Sequence, residues 1–210
     1  MEPRPITKLY LLRHGEVEAR YHRIFGGRID MELSPRGHEQ ARALADYLAD
    51  THFHAVYCSP MQRARQTAVP LLAARSLEPV VVEELREIDF GVWTGLSWQE
   101  VAEKYHVNVF TWLDLIDQGK VPEAETGSDF RQRVEVSVKK ILRDRKGETV
   151  AIVCHGGVVR AMLSVLLDLP LPLTGRFDIE YAGLTTLEIH DHKSEVTLLN
   201  LVPWRDLPVH

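Results

Sequence analysis

Lys8-Leu9-Tyr10-Leu11-Leu12-Arg13-His14-Gly15-Glu16 is the stretch on which the fold turns. Residues 8–12 form a short, nearly unbroken apolar run, the pattern of a strand covered on both faces. Such a strand belongs to a sheet with helices on either side. The run ends in a guanidinium, an imidazole and a glycine. Polar groups therefore stand at the carboxyl end of a buried strand.

The same alternation continues outward. Ser34 is a good N-cap and Pro35 suits a first helical position; Ala41, Leu44, Ala45 and Leu48 then recur at helical spacing. Ala55-Val56-Tyr57-Cys58 reads as a second strand, with a helix from Ser59-Pro60 to Leu72. Val80-Val81-Val82 reads as a third. Helices are expected over 96–105 and 110–116, and a loop over 119–127, where Gly, Pro and acidic residues gather. Thr126-x-x-Asp129 resembles a capping box and starts a long amphipathic helix ending near Gly147. Residues 149–153 read as a fourth strand, and Gly156 or Gly157 opens a helix through Leu167. Residues 184–189 and 196–202 read as a terminal hairpin around His190-Asp191-His192-Lys193-Ser194. The expected class is α/β: three α/β/α layers with a mixed, mostly parallel sheet and an antiparallel edge. A single domain over residues 1–210 is expected, with a small cap segment around 96–127.

Composition narrows the classes. The 210 residues are 45% hydrophobic and 26% charged, with a net charge of -5. That balance suits a globular domain and gives no basic surface for nucleic acid or an anionic membrane. Two cysteines do not make a secreted disulfide framework. The amino terminus reads as no signal peptide, and no apolar run approaches a membrane span. A cytoplasmic location is the default. Oligomeric state is left open, a homodimer included.

Three strand ends carry reactive groups: Arg13-His14-Gly15, Cys58-Ser59-Pro60-Met61-Gln62-Arg63 and Cys154-His155-Gly156-Gly157. Ligands of open parallel sheets bind outside the carboxyl ends of the strands. If these three strands are neighbours, two arginines and two histidines meet in one crevice. Arginine forks suit a phosphate dianion, and a glycine-led helix start adds N–H groups. A neutral imidazole with a free lone pair could attack phosphorus, and neighbouring arginines disfavour its protonation. A histidine at a strand end more often fills a polar role than a catalytic one; two His-Gly steps, one preceded by Arg, shift that balance.

These blocks resemble the signatures of the histidine phosphatase superfamily, the phosphoglycerate mutase-like enzymes. Arg13-His14-Gly15-Glu16 matches the nucleophile block. Phe25-Gly26-Gly27-x-x-Asp30-x-x-Leu33-Ser34-Pro35-x-Gly37-x-x-Gln40-Ala41 is similar to the stretch that follows it. The segment from Cys58 to Ala68 resembles the block with the second phosphate arginine. Leu85-x-Glu87-Ile88-Asp89-Phe90-Gly91-x-Trp93-x-Gly95 resembles the block with the acid, and Cys154-His155-Gly156-Gly157 the second-histidine block. They cover most of the chain in the family's order.

The resemblance implies His14 as a phosphohistidine nucleophile and Glu87 as proton donor to the leaving alcohol. It implies Arg13, Arg63 and His155 as phosphate ligands, with Gly26 and Gly27 near the substrate. Arg20 stands where many relatives carry Asn; it either adds a third cation for the substrate or points to solvent. Gly26 replaces a common Thr or Cys, and Ala124-Glu125-Thr126 departs from the usual Gly-Glu-Ser/Thr. The expected partner is a small phosphorylated metabolite, with no cofactor and no metal. His52-x-His54 and His190-x-His192 lack residues to complete a ligand set. Trp93, Trp98 and Trp112 serve either the pocket or the core.

Two other functions stay in view, a bisphosphoglycerate-primed mutase and a non-catalytic phosphoester-binding module. Residues 88–154, 67 in all, are short and acidic beside the basic insertion that the mutase branch carries here. His14 and Glu87 together weigh against the binding module.

Overall fold

The computed structural model describes residues 5–73 and 75–207. The part of the amino-terminal reading that falls on residues 1–4 lies outside the described residues. Strand β1 (Thr7–Arg13) lies inside a sheet with β2 (Ala55–Cys58), β3 (Val80–Val81), β4 (Thr149–Cys154), β5 (Leu184–Ile189) and β6 (Ser194–Leu201). The order is β3-β2-β4-β1-β5-β6. The first four in that order run parallel, while β5 runs antiparallel to β1 and to β6. The mixed, mostly parallel sheet is the expected one, and β2, β4 and β1 are neighbours. Arg13 pairs in register with Cys154, and Cys58 with Val153. The three reactive strand ends are thus side by side.

Period-2 alternation sorts the strand side chains between two cores. Leu9, Leu11, Val150, Ile152 and Cys154 face one core, under α5 (Gly127–Asp144) and α6 (Gly156–Leu166). Leu12, Ala151, Val153, Val56 and Cys58 face the other, under α1 (Pro35–Tyr47) and α2 (Gln62–Ala73). Helices α3 (Trp98–Tyr105) and α4 (Trp112–Asp117) sit over the first core, and α7 (Pro203–Asp206) follows β6. No helix among the described residues is long and apolar enough to cross a membrane.

Element boundaries differ from expectation where a side chain has other work. Helix α2 begins at Gln62, not at Ser59-Pro60, because the Ser59 hydroxyl is bonded to His155 (2.7 Å). Asp30, from a distant loop, accepts the Gln62 N–H instead (2.8 Å). Helix α3 begins at Trp98 because Ser97 and Glu100 form a capping box there. A 3₁₀ turn over Val109–Thr111 precedes α4. Thr126 caps α5 through the Asp129 N–H, but its hydroxyl bonds the Asp129 carboxylate, so the reciprocal half of the box is missing. Strand β6 starts at Ser194, two residues earlier than read.

Helix α1 crosses the chain after β1 at backbone contact. A Cβ on Gly37 would lie 2.0 Å from the Glu16 carbonyl oxygen, and one on Gly15 would lie 2.5 Å from the Gly37 oxygen. Gly15 therefore serves helix packing rather than ligand approach. Alanine is favoured over glycine inside a helix by up to about 1 kcal/mol. Gly37→Ala should nevertheless destabilise the protein, by about 1–3 kcal/mol, because the clash is with backbone. Urea unfolding checks this, and a more stable variant would refute the close approach.

Candidate active site

The site is built on the carboxyl ends of β1, β2 and β4. Arg13 ends β1 and His14 follows it, its N–H bonded to the Cys154 carbonyl (3.0 Å). His14 and His155 are buried, with rings edge to face and centroids 5.2 Å apart. His14 Nδ1 lies 2.7 Å from the Gly15 carbonyl oxygen. A carbonyl can only accept, so Nδ1 carries the proton and Nε2 the lone pair. Arg63 Nε–H donates to that lone pair at 3.2 Å and equally to His155 Nδ1 at 3.2 Å. His155 Nε2–H in turn donates to Ser59 Oγ. One N–H thus faces two imidazole lone pairs.

Arg63 is itself buried, in the first turn of α2. Its Nη1 donates to the Ile29 carbonyl (2.7 Å) and its Nη2 to the Gly27 carbonyl (2.9 Å). Gly27 has a positive φ of 45° and comes close to the Ile88 carbonyl, which suits glycine there. Burial lowers the Arg63 pKa to about 10, so it stays cationic at neutral pH. Arg13 donates Nη1–H to the Ile179 carbonyl and stacks on Tyr181, 4.1 Å from the ring centroid. Its Nε is buried with no hydrogen-bond partner among the described residues. That is a donor left over for an anion.

The pKa of each histidine lies well below its ordinary value, first through burial and then through the Arg63 charge. Arg13 adds to both. Sequence reasoning credited the arginines alone; desolvation is the larger cause.

Glu87 reaches the crevice from the loop after β3. Its Oε2 accepts the Gly157 N–H (3.0 Å) at the start of α6, where the helix favours an anion, and its Oε1 accepts the Ile88 N–H (3.0 Å). A Cβ at Gly157 would stand 2.4 Å from Glu87 Oε1. The glycine is what lets the carboxylate approach. Behind the loop, Arg133 of α5 donates to the Glu84, Arg86 and Glu87 carbonyls and pairs with Glu125 at 2.5 Å. Glu125, beside the unusual Ala124, ties back to Asp89 through backbone. Nothing local in the sequence marks Arg133 for this work, and Glu125 is marked only by its place in Ala124-Glu125-Thr126.

These groups line a cavity of about 520 Å³. Arg13, His14, Arg63, Glu87, Gly26 and Gly27 are on its wall, with His155 buried just behind. Arg20 is not; it pairs with Glu18 (2.8 Å) and lies over Tyr21, whereas Tyr21, His22 and Arg23 reach the cavity. Trp98 and Trp112 line it and Trp93 is core. Sequence reasoning missed Arg160, Asp178 and Tyr181, which also line it. The last two come from an irregular stretch before β5 that carries no periodic signal. Away from the cavity, β5–β6 pairing brings Glu188 and Glu195 beside His190, a grouping not visible in the linear sequence. Lys8 and Lys193 lie against those carboxylates.

The histidine phosphatase superfamily (branch 1) model matches residues 9–202. The chain belongs to this superfamily. It is 29% identical to phosphoserine phosphatase 1 of Hydrogenobacter thermophilus over 93% of each chain. It is 26% identical to the adenosylcobalamin/alpha-ribazole phosphatase of Escherichia coli, over 92% of this chain and 95% of that one. The mycobacterial glucosyl-3-phosphoglycerate phosphatase structure superposes with a TM-score of 0.84, at 26% identity, over 93% of this chain and 99% of that one. The α/β fold is that of histidine phosphatases, as expected.

The lowered histidine pKa values fix the sign of a pH dependence. Above about pH 6.5 the histidines are neutral in both folded and unfolded chains and contribute nothing. Below it the unfolded chain binds protons that buried His14 and His155 refuse. Stability should then fall by about 1.4 kcal/mol per pH unit for each histidine until its folded pKa is reached. Denaturant unfolding between pH 7 and 5 should show a steeper loss in the wild type than in a His14→Gln/His155→Gln variant. Equal slopes would mean that the rings are not held neutral.

Proposed function

We propose that the chain hydrolyses a small phosphorylated metabolite in two steps through a phosphohistidine on His14. The observation that carries the reading is the His14 tautomer: Nδ1–H is committed to the Gly15 carbonyl, which leaves Nε2 as the lone-pair nitrogen, met by Arg63 Nε–H, on a residue that lines the cavity. That the chain is a phosphoric monoester hydrolase follows from its superfamily and from the three phosphatase-named relatives above. Those relatives act on phosphoserine, alpha-ribazole phosphate and glucosyl-3-phosphoglycerate, all small phosphomonoesters.

In the first step the Nε2 lone pair bonds to phosphorus as the ester P–O bond breaks. Arg63 Nε–H, freed from the imidazoles, and Arg13 Nε–H take the phosphoryl oxygens. The leaving alkoxide takes a proton delivered by the Glu87 carboxyl group. In the second step a water oxygen bonds to phosphorus, the N–P bond breaks, and Glu87 accepts the water proton. Inorganic phosphate leaves. The guanidiniums and the α6 N-terminus supply the positive charge, so the reading needs neither a metal nor an organic cofactor. The segment 96–127 acts as a small cap, because it brings Trp98 and Trp112 over the cavity. Two free, buried cysteines support a cytoplasmic location.

Rapid mixing with p-nitrophenyl phosphate should give a nitrophenol burst, and quenched enzyme should carry acid-labile, base-stable phosphate on His14. Label on serine or cysteine would defeat the mechanism. General acid catalysis is worth about 10²–10⁴-fold for a poor leaving group. Glu87→Gln should therefore cripple phosphorylation by alkyl phosphates and largely spare the nitrophenol burst. Equal slowing of both would remove Glu87 as the acid.

Phosphatase turnover should also exceed mutase turnover. Incubation with 3-phosphoglycerate, with and without bisphosphoglycerate, is expected to release phosphate. Rapid 2-phosphoglycerate formation with little free phosphate would favour the mutase instead.

A further inference from the structure

The two arginines of the phosphate set are held very differently. Arg63 is fixed by the Ile29 and Gly27 carbonyls and by both imidazoles. Arg13 makes one side-chain hydrogen bond among the described residues, from Nη1 to the Ile179 carbonyl, and its buried Nε makes none. One bond at one corner does not orient a guanidinium, as a bidentate pair would. Like charges also stand close by. A Cβ on Gly156 would lie 3.5 Å from Arg13 Nε and 3.3 Å from Arg160 Nη1, so two guanidiniums crowd one backbone position. Burial lowers the pKa of Arg63 and of Arg160, and the Arg13 charge adds to both falls.

What faces Arg13 is a ring. The Tyr181 centroid lies 4.1 Å from Arg13 Cζ. The same ring is 5.7 Å from that of His14, tilted by 49°. Tyr181 is half-buried and lines the cavity. An aromatic face is negative at its centre and attracts a cation, more strongly where water is partly excluded. It does so here while the Arg13 Nε–H stays unpaired.

The ring is placed by a turn that is tied on two sides. On the nucleophile's side, the Ala182 N–H donates to the His14 carbonyl (3.0 Å), and the Arg13 N–H donates to the Gly183 carbonyl (3.1 Å). On the other side, the Tyr181 carbonyl accepts the Trp204 indole N–H from α7 (3.0 Å), and Asn200 Oδ1 of β6 accepts the Glu180 N–H (2.7 Å). Ala182 has a φ of 50°, a conformation that non-glycine residues rarely adopt. Such backbone persists only where its surroundings over-determine it.

We propose that Tyr181 is the positioning residue for Arg13: the face of its ring, rather than its hydroxyl, holds the guanidinium in the crevice with Nε–H free for the phosphoryl group. This rests on the phosphatase reading above and adds to it what keeps one phosphate ligand in place.

Inorganic phosphate is the probe, because it fills the phosphoryl seat without chemistry. Its affinity is measured by calorimetry for the wild type, Tyr181→Phe and Tyr181→Leu. The same is done with 4-fluoro-, 3,5-difluoro- and 3,4,5-trifluorophenylalanine placed at position 181. Fluorine drains charge from the ring face and barely alters its shape. Tyr181→Phe should keep the affinity that Tyr181→Leu loses. Each added fluorine should weaken binding further, to a total of about 3–30-fold, the range of a cation–π contact. A loss in Tyr181→Phe as large as in Tyr181→Leu would assign the role to the hydroxyl and overturn the proposal. So would a gain on fluorination, the sign expected if the ring touched the phosphate itself. If Tyr181→Leu fails to fold, the fluorine series still decides. A flat series beside a normal nitrophenol burst would overturn the proposal and leave the phosphatase reading intact. A stepwise loss of phosphate affinity in a protein that never forms phosphohistidine would sustain the proposal and sink that reading.

Discussion

A single buried N–H, that of Arg63 Nε, points at two imidazole lone pairs, 3.2 Å from each. Most of the site follows from what it takes to hold it there. The guanidinium must be desolvated to stand between two buried rings, and the carbonyls of Gly27 and Ile29 offset part of that cost. Those carbonyls belong to the loop after β1, whose Asp30 also caps α2, the helix that carries Arg63. Thr67, one turn further along α2, accepts the Gly15 N–H and donates to the Arg63 carbonyl. The backbone beside His14 and the helix of Arg63 are therefore parts of one hydrogen-bonded unit. The rings are neutral because they are buried, and the arginine charges reinforce that state.

The second half of the site is held from outside. Glu87 sits on a loop with little regular structure of its own, between two 3₁₀ turns. Its position is set by α5, through Arg133 and the carbonyls of Glu84, Arg86 and Glu87, and by α6, through the Gly157 N–H. The glycine at 157 admits the carboxylate, and the helix start rewards it electrostatically. The α6 N-terminus thus holds the Glu87 carboxylate, and Arg160, one turn further along, lines the same cavity.

Several features were legible residue by residue. Apolar runs with covered-strand character at 8–12, 55–58 and 149–153 gave the sheet, and Ser34-Pro35 gave α1 its start, because each signal is local and strong. The motif blocks placed five groups, Arg13, His14, Arg63, Glu87 and His155, that the fold brings together. Arg20 read as ambiguous because its neighbours Glu18 and Tyr21 compete for it, a matter of local geometry. The start of α2 is not legible locally, because Ser59 has the form of an N-cap yet its hydroxyl is bound to a ring 96 positions away in the chain. Asp178 and Tyr181 carried no signal at all, since they lie in an irregular segment placed by its ends.

Periodicity, caps and motif spacing are properties of short segments, and they suffice for the class of fold, the chemistry of the strand ends and the family. Only the assembled fold shows which of the cations line the cavity, why Gly15 and Gly157 must be glycines, and which nitrogen of His14 carries the lone pair. Each depends on groups far apart in the chain that meet at van der Waals or hydrogen-bond distance. Such meetings are set by strand order and helix crossing, which no single segment encodes.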